Sequence, residues 1–222
     1  MTQQRAPLSQ ITLGDAVWDD SFSILFEGRD SNDNRLLLRT FKSDEPSSGE
    51  SQWLHHDEYA HSLAPPQIVH ESLGRLRIHH KPYLVYRDEG FRPVGSQHVG
   101  ELSVTLRLGR DVTLALRLLH ETGMSHNRLS SATVWVHPDH PGVRLFDLSG
   151  SSTKEGDPPS GPPPKLSYLA PEQAGSASFR CDYRADFFSL GVLLYRGVTG
   201  QHPFQAPDVD SHRHKLLTEM PA

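Results

Sequence analysis

The apolar residues of this 222-residue chain change their spacing part-way along, and that change limits the folds open to it. Residues 21–28 alternate apolar and polar side chains, residues 29–34 are turn formers, and residues 35–41 read as a second strand, which together predict a hairpin. A helix is expected over residues 52–63, with Trp53, Tyr59 and Leu63 on its buried side and Pro65-Pro66 ending it. Further strand is expected at residues 68–69, 76–78 and 82–86, with a turn at Gly74. Beyond that point the period becomes helical. Leu108, Val112, Ala115, Leu116 and Leu119 share one face of a helix that Gly123 ends. Short strands follow at Val134 and over residues 143–146, then a strongly apolar helix over residues 190–198. Strands first and helices later predict an α+β fold in two lobes, with a boundary near residues 89–93. No internal repeat is visible.

Composition narrows the function classes. The hydrophobic fraction of 36% and charged fraction of 22% suit a globular chain with generous loops, and a formal charge of −5 gives no footprint for nucleic acid. A single cysteine, Cys181, excludes an intrachain disulfide and thiolate zinc sites of the zinc-finger type. The first ten residues are polar, expected to be loose, and lack the apolar core of a signal peptide. No apolar run approaches the ~18 residues of a membrane span. A cytoplasmic protein without a membrane span is expected. The 14 histidines include His55-His56, His79-His80, and His212 with His214. They form no HExxH pattern, so surface or packing roles are expected rather than a metal site.

Residues 125–136, Ser-His-Asn-Arg-Leu-Ser-Ser-Ala-Thr-Val-Trp-Val, place a polar loop between a buried helix and a strand, where catalytic groups are often carried. Residues 149–167 are rich in Ser, Gly and Pro and read as a flexible loop.

Three later motifs occur in order: Ala170-Pro171-Glu172, then residues 182–195 (DYRADFFSLGVLLY), then residues 199–204 (TGQHPF). At these positions the chain resembles the C-lobe of a eukaryotic-like Ser/Thr protein kinase. The variant of the second motif, with SHRHKLL over residues 211–217, is similar to a bacterial group in which a kinase-like domain precedes an ATPase module and a sensor histidine kinase. The resemblance covers about residues 11–220. It implies a flexible N-terminus over 1–10, a β-rich N-lobe over 11–90, and a partial helical C-lobe over 91–222 with an activation-segment-like loop at 147–172. It further implies that Asp186 organises the catalytic loop from the helix beneath it. The chain ends before the family's last helices, so the usual Arg partner of Glu172 is expected to be missing.

The family's phosphotransfer parts can be sought one by one. Trp18, Asp20 and Ser23 stand where its glycines belong, and Asp19-Asp20 would repel phosphates. Arg39 takes the position of the strand Lys, with Lys42 the nearest lysine. The helix residue that pairs with that Lys is one of His56, Asp57 and Glu58. Adenine would meet the backbone at residues 86–89, beginning with Tyr86. In the loop, His126 matches the packing histidine, while Arg128 replaces the catalytic Asp, Ser130 the supporting Lys, and Thr133 the metal-holding Asn. An Arg is never deprotonated near neutral pH and cannot be a general base. Asp147-Leu148-Ser149 stands for the metal-binding DFG. Asp147 is therefore open either to magnesium or to an ion pair with Arg128.

The expected function is a catalytically impaired kinase-like domain, a pseudokinase that regulates or binds in bacterial signalling. No cofactor is required, and ATP with magnesium is held weakly, at Arg39, Tyr86 and Asp147, if at all. The expected partner is another protein or downstream domains of the same polypeptide. The alternative is an active, unorthodox Ser/Thr kinase in which positioning alone supports the transfer.

Overall fold

Asp30 shapes the first hairpin of the computed structural model, which describes residues 11–20, 22–95, 100–152, 165–174 and 182–221. Its Oδ1 accepts the N–H groups of Asn32 and Asn34 at 2.8 and 2.9 Å, and Asp33 takes a left-handed φ of 65°. A short polar side chain that bonds its own turn is the reason Asp and Asn favour such positions. The expectations for residues 1–10, for Cys181 and for most of the Pro-rich loop, 153–164, lie outside the described residues.

The fold is α+β, with antiparallel sheets and helices. The chain divides into two compact units. One gathers the described residues of Met1–Ser51 and His70–Gly90, the other those of Gln52–Val69 and Phe91–Ala222.

The first unit is a five-stranded antiparallel sheet in the order β1-β2-β3-β5-β4. Its strands are β1 (Thr12–Asp19), β2 (Ser23–Arg29), β3 (Arg35–Phe41), β4 (Ser72–Ile78) and β5 (Lys81–Arg87). Leu36, Leu38, Tyr83 and Val85 form the apolar core of one face. β1 was not expected from sequence. It is an edge strand whose residues are nearly all exposed, so it carries no buried alternation to read. Gly74 lies inside β4, at a register shift opposite β5, rather than in a turn. Residues 68–69 are buried but form no strand.

The second unit is built on helices. They are α1 (Ser48–Leu63, in this unit from Gln52), α2 (Leu102–Glu121), the short α3 (Pro171–Ala174), α4 (Arg184–Thr199) and α5 (Val209–Thr218). A small sheet of β6 (Arg92–Pro93), β7 (Val134–Val136) and β8 (Val143–Leu145) joins them. The α2 face expected from sequence, Leu108, Val112, Ala115, Leu116 and Leu119, is the buried one. It packs in one core with Met124, Leu129, Val134, Leu145 and, from α4, Leu190 and Leu193. α1 presents a different face from the one expected. Leu54, Asp57, Ala60 and His61 are buried, whereas Tyr59 and Leu63 are exposed by 57% and 42%. Two polar residues occupy its inner face, which hides the apolar period.

Where α2 crosses α4, glycine allows the close approach. A Cβ on Gly197 would lie 2.8 Å from Cγ2 of Thr105, a short buried side chain with no room to turn aside. Asp208 starts α5 by accepting the N–H of Ser211 at 2.8 Å.

Candidate functional site

The loop that follows α2 is held from below by Asp186, in the first turn of α4. Asp186 is fully buried. Its Oδ2 accepts the backbone N–H of His126 at 2.8 Å and its Oδ1 that of Asn127 at 2.7 Å. His120, near the end of α2, adds Nε2 at 2.8 Å from Oδ2. One carboxylate thus satisfies two backbone donors that no regular element supplies with partners.

His126 then fixes the loop to the strand side. It is fully buried, its Nε2 donates to the carbonyl of Phe146 at 3.1 Å, and its Nδ1 accepts the N–H of Arg128 at 3.2 Å. Those two bonds require the neutral ring with its proton on Nε2. Burial, the largest cause, pulls the His126 pKa below its ordinary value, against the nearby charges of Asp186 and Asp147.

Asn127 is a residue whose role the sequence did not reveal. It adopts φ 62°, and its side-chain amide donates to Gly150 O and Ser152 Oγ, both at 3.1 Å. Its carbonyl receives Gln173 Nε2 at 2.8 Å. The one available signal was its type, since Asn tolerates the left-handed region at a bend.

Arg128 points inward. Its Nε lies 2.9 Å from Asp147 Oδ2, with side-chain exposures of 6% and 0%. The other carboxylate oxygen, Oδ1, receives the hydroxyl of Ser149 at 2.5 Å. Asp147 itself holds a left-handed φ of 63°. The Arg128 stem runs over Gly150, where an added Cβ would meet Cδ at 2.4 Å and Cγ at 2.7 Å. A glycine is needed there for lack of space. Asp147 thus makes the ion pair with Arg128, one of the two roles open to it in sequence.

Ser130 and Thr133 brace the same loop. The Thr133 hydroxyl donates to Arg128 O at 3.0 Å and accepts the Ser130 N–H at 2.9 Å, and the two hydroxyls lie 3.3 Å apart. Both residues are buried. A backbone bridge between Ser125 and Ser152 closes the loop against the segment after Asp147.

These groups do not fit a magnesium site. The metal takes oxygen ligands in near-octahedral array and is repelled by a cation. Here one Asp147 oxygen is matched by a guanidinium, the other by a hydroxyl, and the Thr133 hydroxyl is spent on the backbone. Among the described residues no group of three His, Cys, Asp or Glu converges as a metal site.

The remaining sequence candidates fall in two places. In the first unit, Arg39 is 3% exposed on β3, so it is a buried residue and not a solvated one. Its Nε and a terminal nitrogen donate to Ser23 Oγ at 3.2 and 3.1 Å, and its guanidinium lies 5.4 Å from the Trp18 ring centre. Between β1 and β2, Asp20 Oδ1 accepts the N–H groups of Phe22 and Ser23 at 2.8 and 2.7 Å. Its carboxylate takes the donors that a phosphate would need. Lys42 pairs with Asp19 at 2.6 Å. Tyr86 is fully buried on β5, and the following N–H groups of Arg87, Asp88 and Gly90 donate to Glu71 O, Arg35 O and Asp88 Oδ1. In the second unit, His56 Nε2 donates to Ser151 O at 2.7 Å. Asp57 is fully buried with an oxygen 3.7 Å from His61 Nδ1, and Glu58 is half-buried.

With this geometry in view, the similarities of the chain can be placed. It is 30% identical over 129 residues, 52% of its length, to the serine/threonine-protein kinase pkn3 of Myxococcus xanthus, of which the match covers 23%. It is 30% identical over 106 residues, 47% of its length, to the serine/threonine-protein kinase ULK3 of Xenopus laevis, covering 22% of that protein. The serine/threonine-protein kinase PknB of Mycobacterium tuberculosis is 29% identical over 119 residues, with 50% of this chain and 18% of PknB covered. No protein-family profile matches the chain. The chain therefore matches less than a quarter of the length of these relatives, and the similarities support a kinase-like family for it. No helix among the described residues is long and apolar enough to cross a membrane.

Two outcomes test this geometry. Asp186→Ala strands two buried N–H donors and is expected to lower stability by about 3–5 kcal/mol in urea unfolding. Burial is also the first cause of the lowered pKa values of His202 and His212. A histidine whose folded pKa lies below its unfolded value of about 6.5 stabilises the fold above that pH and ceases to do so as pH falls through the window beneath it. Melting temperature is therefore expected to drop from about pH 7 to about pH 5. His126→Gln should start lower but lose less over that interval.

Proposed function

We propose that the chain is a catalytically impaired protein-kinase-like domain, a pseudokinase that serves as a regulatory or binding module in bacterial signalling. The observation that carries this reading is the buried Arg128–Asp147 ion pair. Arg128 stands where the resemblance puts the proton acceptor, and a guanidinium cannot take a proton near neutral pH. Its partner Asp147 is the one carboxylate that the resemblance assigns to magnesium. A metal at Asp147 would compete with the bonds it makes to Arg128 and Ser149. Breaking a buried ion pair costs about 3–5 kcal/mol in comparable cases.

The loop keeps a scaffold while its polar groups are spent on one another. Ser130 carries no charge for a transferred phosphate, and Thr133 is tied to the loop backbone. In the first unit Asp20 fills its own turn. A domain of this kind acts through its surfaces, on a partner protein or on other domains of the same polypeptide. The names of the similar proteins favour a second reading, a serine/threonine kinase that retains slow transfer through Asp147 and Arg39.

Nucleotide binding and turnover separate the two. A ligand at 100 times its Kd adds about 2.7 kcal/mol to the folded state and raises the melting temperature by several degrees. ATP with magnesium is expected to give no shift, and radiolabelled ATP no autophosphorylation and no transfer to a generic substrate. Robust turnover that Asp147→Ala abolishes would replace the pseudokinase with the active kinase.

A further inference from the structure

Two side chains anchor α5 to the second unit. Among its described residues only His212 and Leu216, four positions apart on one face, are buried, at 2% and 8% exposed. Leu216 packs with Ala174 and Phe204. His212 sits where α5 meets the single helical turn Leu166–Tyr168, beside the carbonyls of Leu166 and Phe204. Half of the anchor of this helix is therefore a ring that can take a charge.

The surroundings are set against that charge. His212 Nε2, Nδ1 of the half-buried His202 and the buried Tyr168 hydroxyl have no hydrogen-bond partner among the described residues. The His202 ring meets Tyr168 edge-on at 5.1 Å. After burial, the groups that bear on His202 are Arg196, His212 and Lys165, and the side-chain charge that bears on His212 is Lys215. Each of them is positive when ionised. Of the carboxylates on α5 and the elements around it, Asp208 accepts from Ser211 and Glu219 faces Lys215 at 4.0 Å. Asp210 is exposed, as are Arg213 and His214, and Glu172 on α3 is half-buried. A buried ring that turns into a cation without a carboxylate beside it is costly to keep out of water.

We propose that His202 and His212 form an acid-sensitive latch, whose protonation releases α5 and the Leu166–Tyr168 turn while α2 and α4 stay packed. A helix held by two buried residues belongs to the low-stability end of a structure, where local opening precedes global unfolding. Opened, each ring has its ordinary pKa of about 6.5. Docked, each takes its proton only at lower pH, with burial as the first cause. The docked state is thus favoured above about pH 6.5 and loses that advantage as pH falls through the window beneath it. Between pH 7.5 and 5.5 the opening equilibrium rises roughly tenfold for each ring that stays neutral while docked. Release uncovers Leu169, Ala174 and Phe204, the apolar surface against which Leu216 packs. The latch is independent of whether the Arg128 loop is active.

Hydrogen exchange of the whole chain at pH 7.5 and 5.5, read as protection factors corrected for intrinsic rates, tests the latch. Protection over residues 166–169 and 210–218 is expected to fall roughly tenfold or more between the two, and to lie below that of residues 108–119 in α2 at both. His202→Gln and His212→Gln should each remove about one tenfold step of the fall, while His214→Gln, at an exposed position of the same helix, leaves it unchanged. If His212→Gln loosens α5 at both pH values, the wild-type fall and the His202→Gln variant still decide. A wild-type fall of less than about threefold, α5 protection equal to that of α2 at both pH values, or a full fall retained in His202→Gln would each overturn the proposal.

Discussion

A guanidinium buried beside a carboxylate has to be matched, because neither ion can be left alone away from water. Arg128 and Asp147 meet that condition for each other at 2.9 Å, and much of the surrounding backbone is arranged so that they can. Gly150 leaves room for the arginine stem, Asp147 accepts a left-handed backbone, and Ser149 takes the second carboxylate oxygen. Asp186 and His126 hold the Arg128 segment from the other side through backbone donors. The result is a polar loop saturated from within.

Electrostatics decide what that loop can do. A general base needs a pKa near working pH, and arginine has none in reach. Under the proposed reading, the guanidinium beside Asp147 opposes the cation that would position a nucleotide's phosphates. The similarity to serine/threonine kinases over about half of the chain speaks for the scaffold. The polar side chains of the loop argue separately about the chemistry.

Much of this was legible in sequence because it depends on residue type at a fixed spacing. The α2 face was readable from five apolar residues at helical intervals, and the pairing of Arg128 with Asp147 was visible as one of two options once both positions were aligned. What was not legible has physical reasons. β1 is an exposed edge strand and leaves no buried alternation. The inner face of α1 contains Asp57 and His61, so an apolar pattern pointed to Tyr59 and Leu63 instead. Arg39 is buried between Trp18 and Ser23, where its residue type alone would favour exposure. Asn127 and Gln173 act through long-range bonds, to Gly150 and Ser152 and to the Asn127 carbonyl, which no local pattern announces.

The central claim is that Arg128 and Asp147 stabilise each other as a buried pair, and a double-mutant cycle measures that directly. Arg128→Met, Asp147→Asn and the double variant would be compared by urea unfolding. If the pair is as described, the double variant loses less than the two single losses added together, with a coupling of about 1.5–3 kcal/mol. Additivity within about 0.5 kcal/mol would contradict it, because the two charges would then be acting independently of each other.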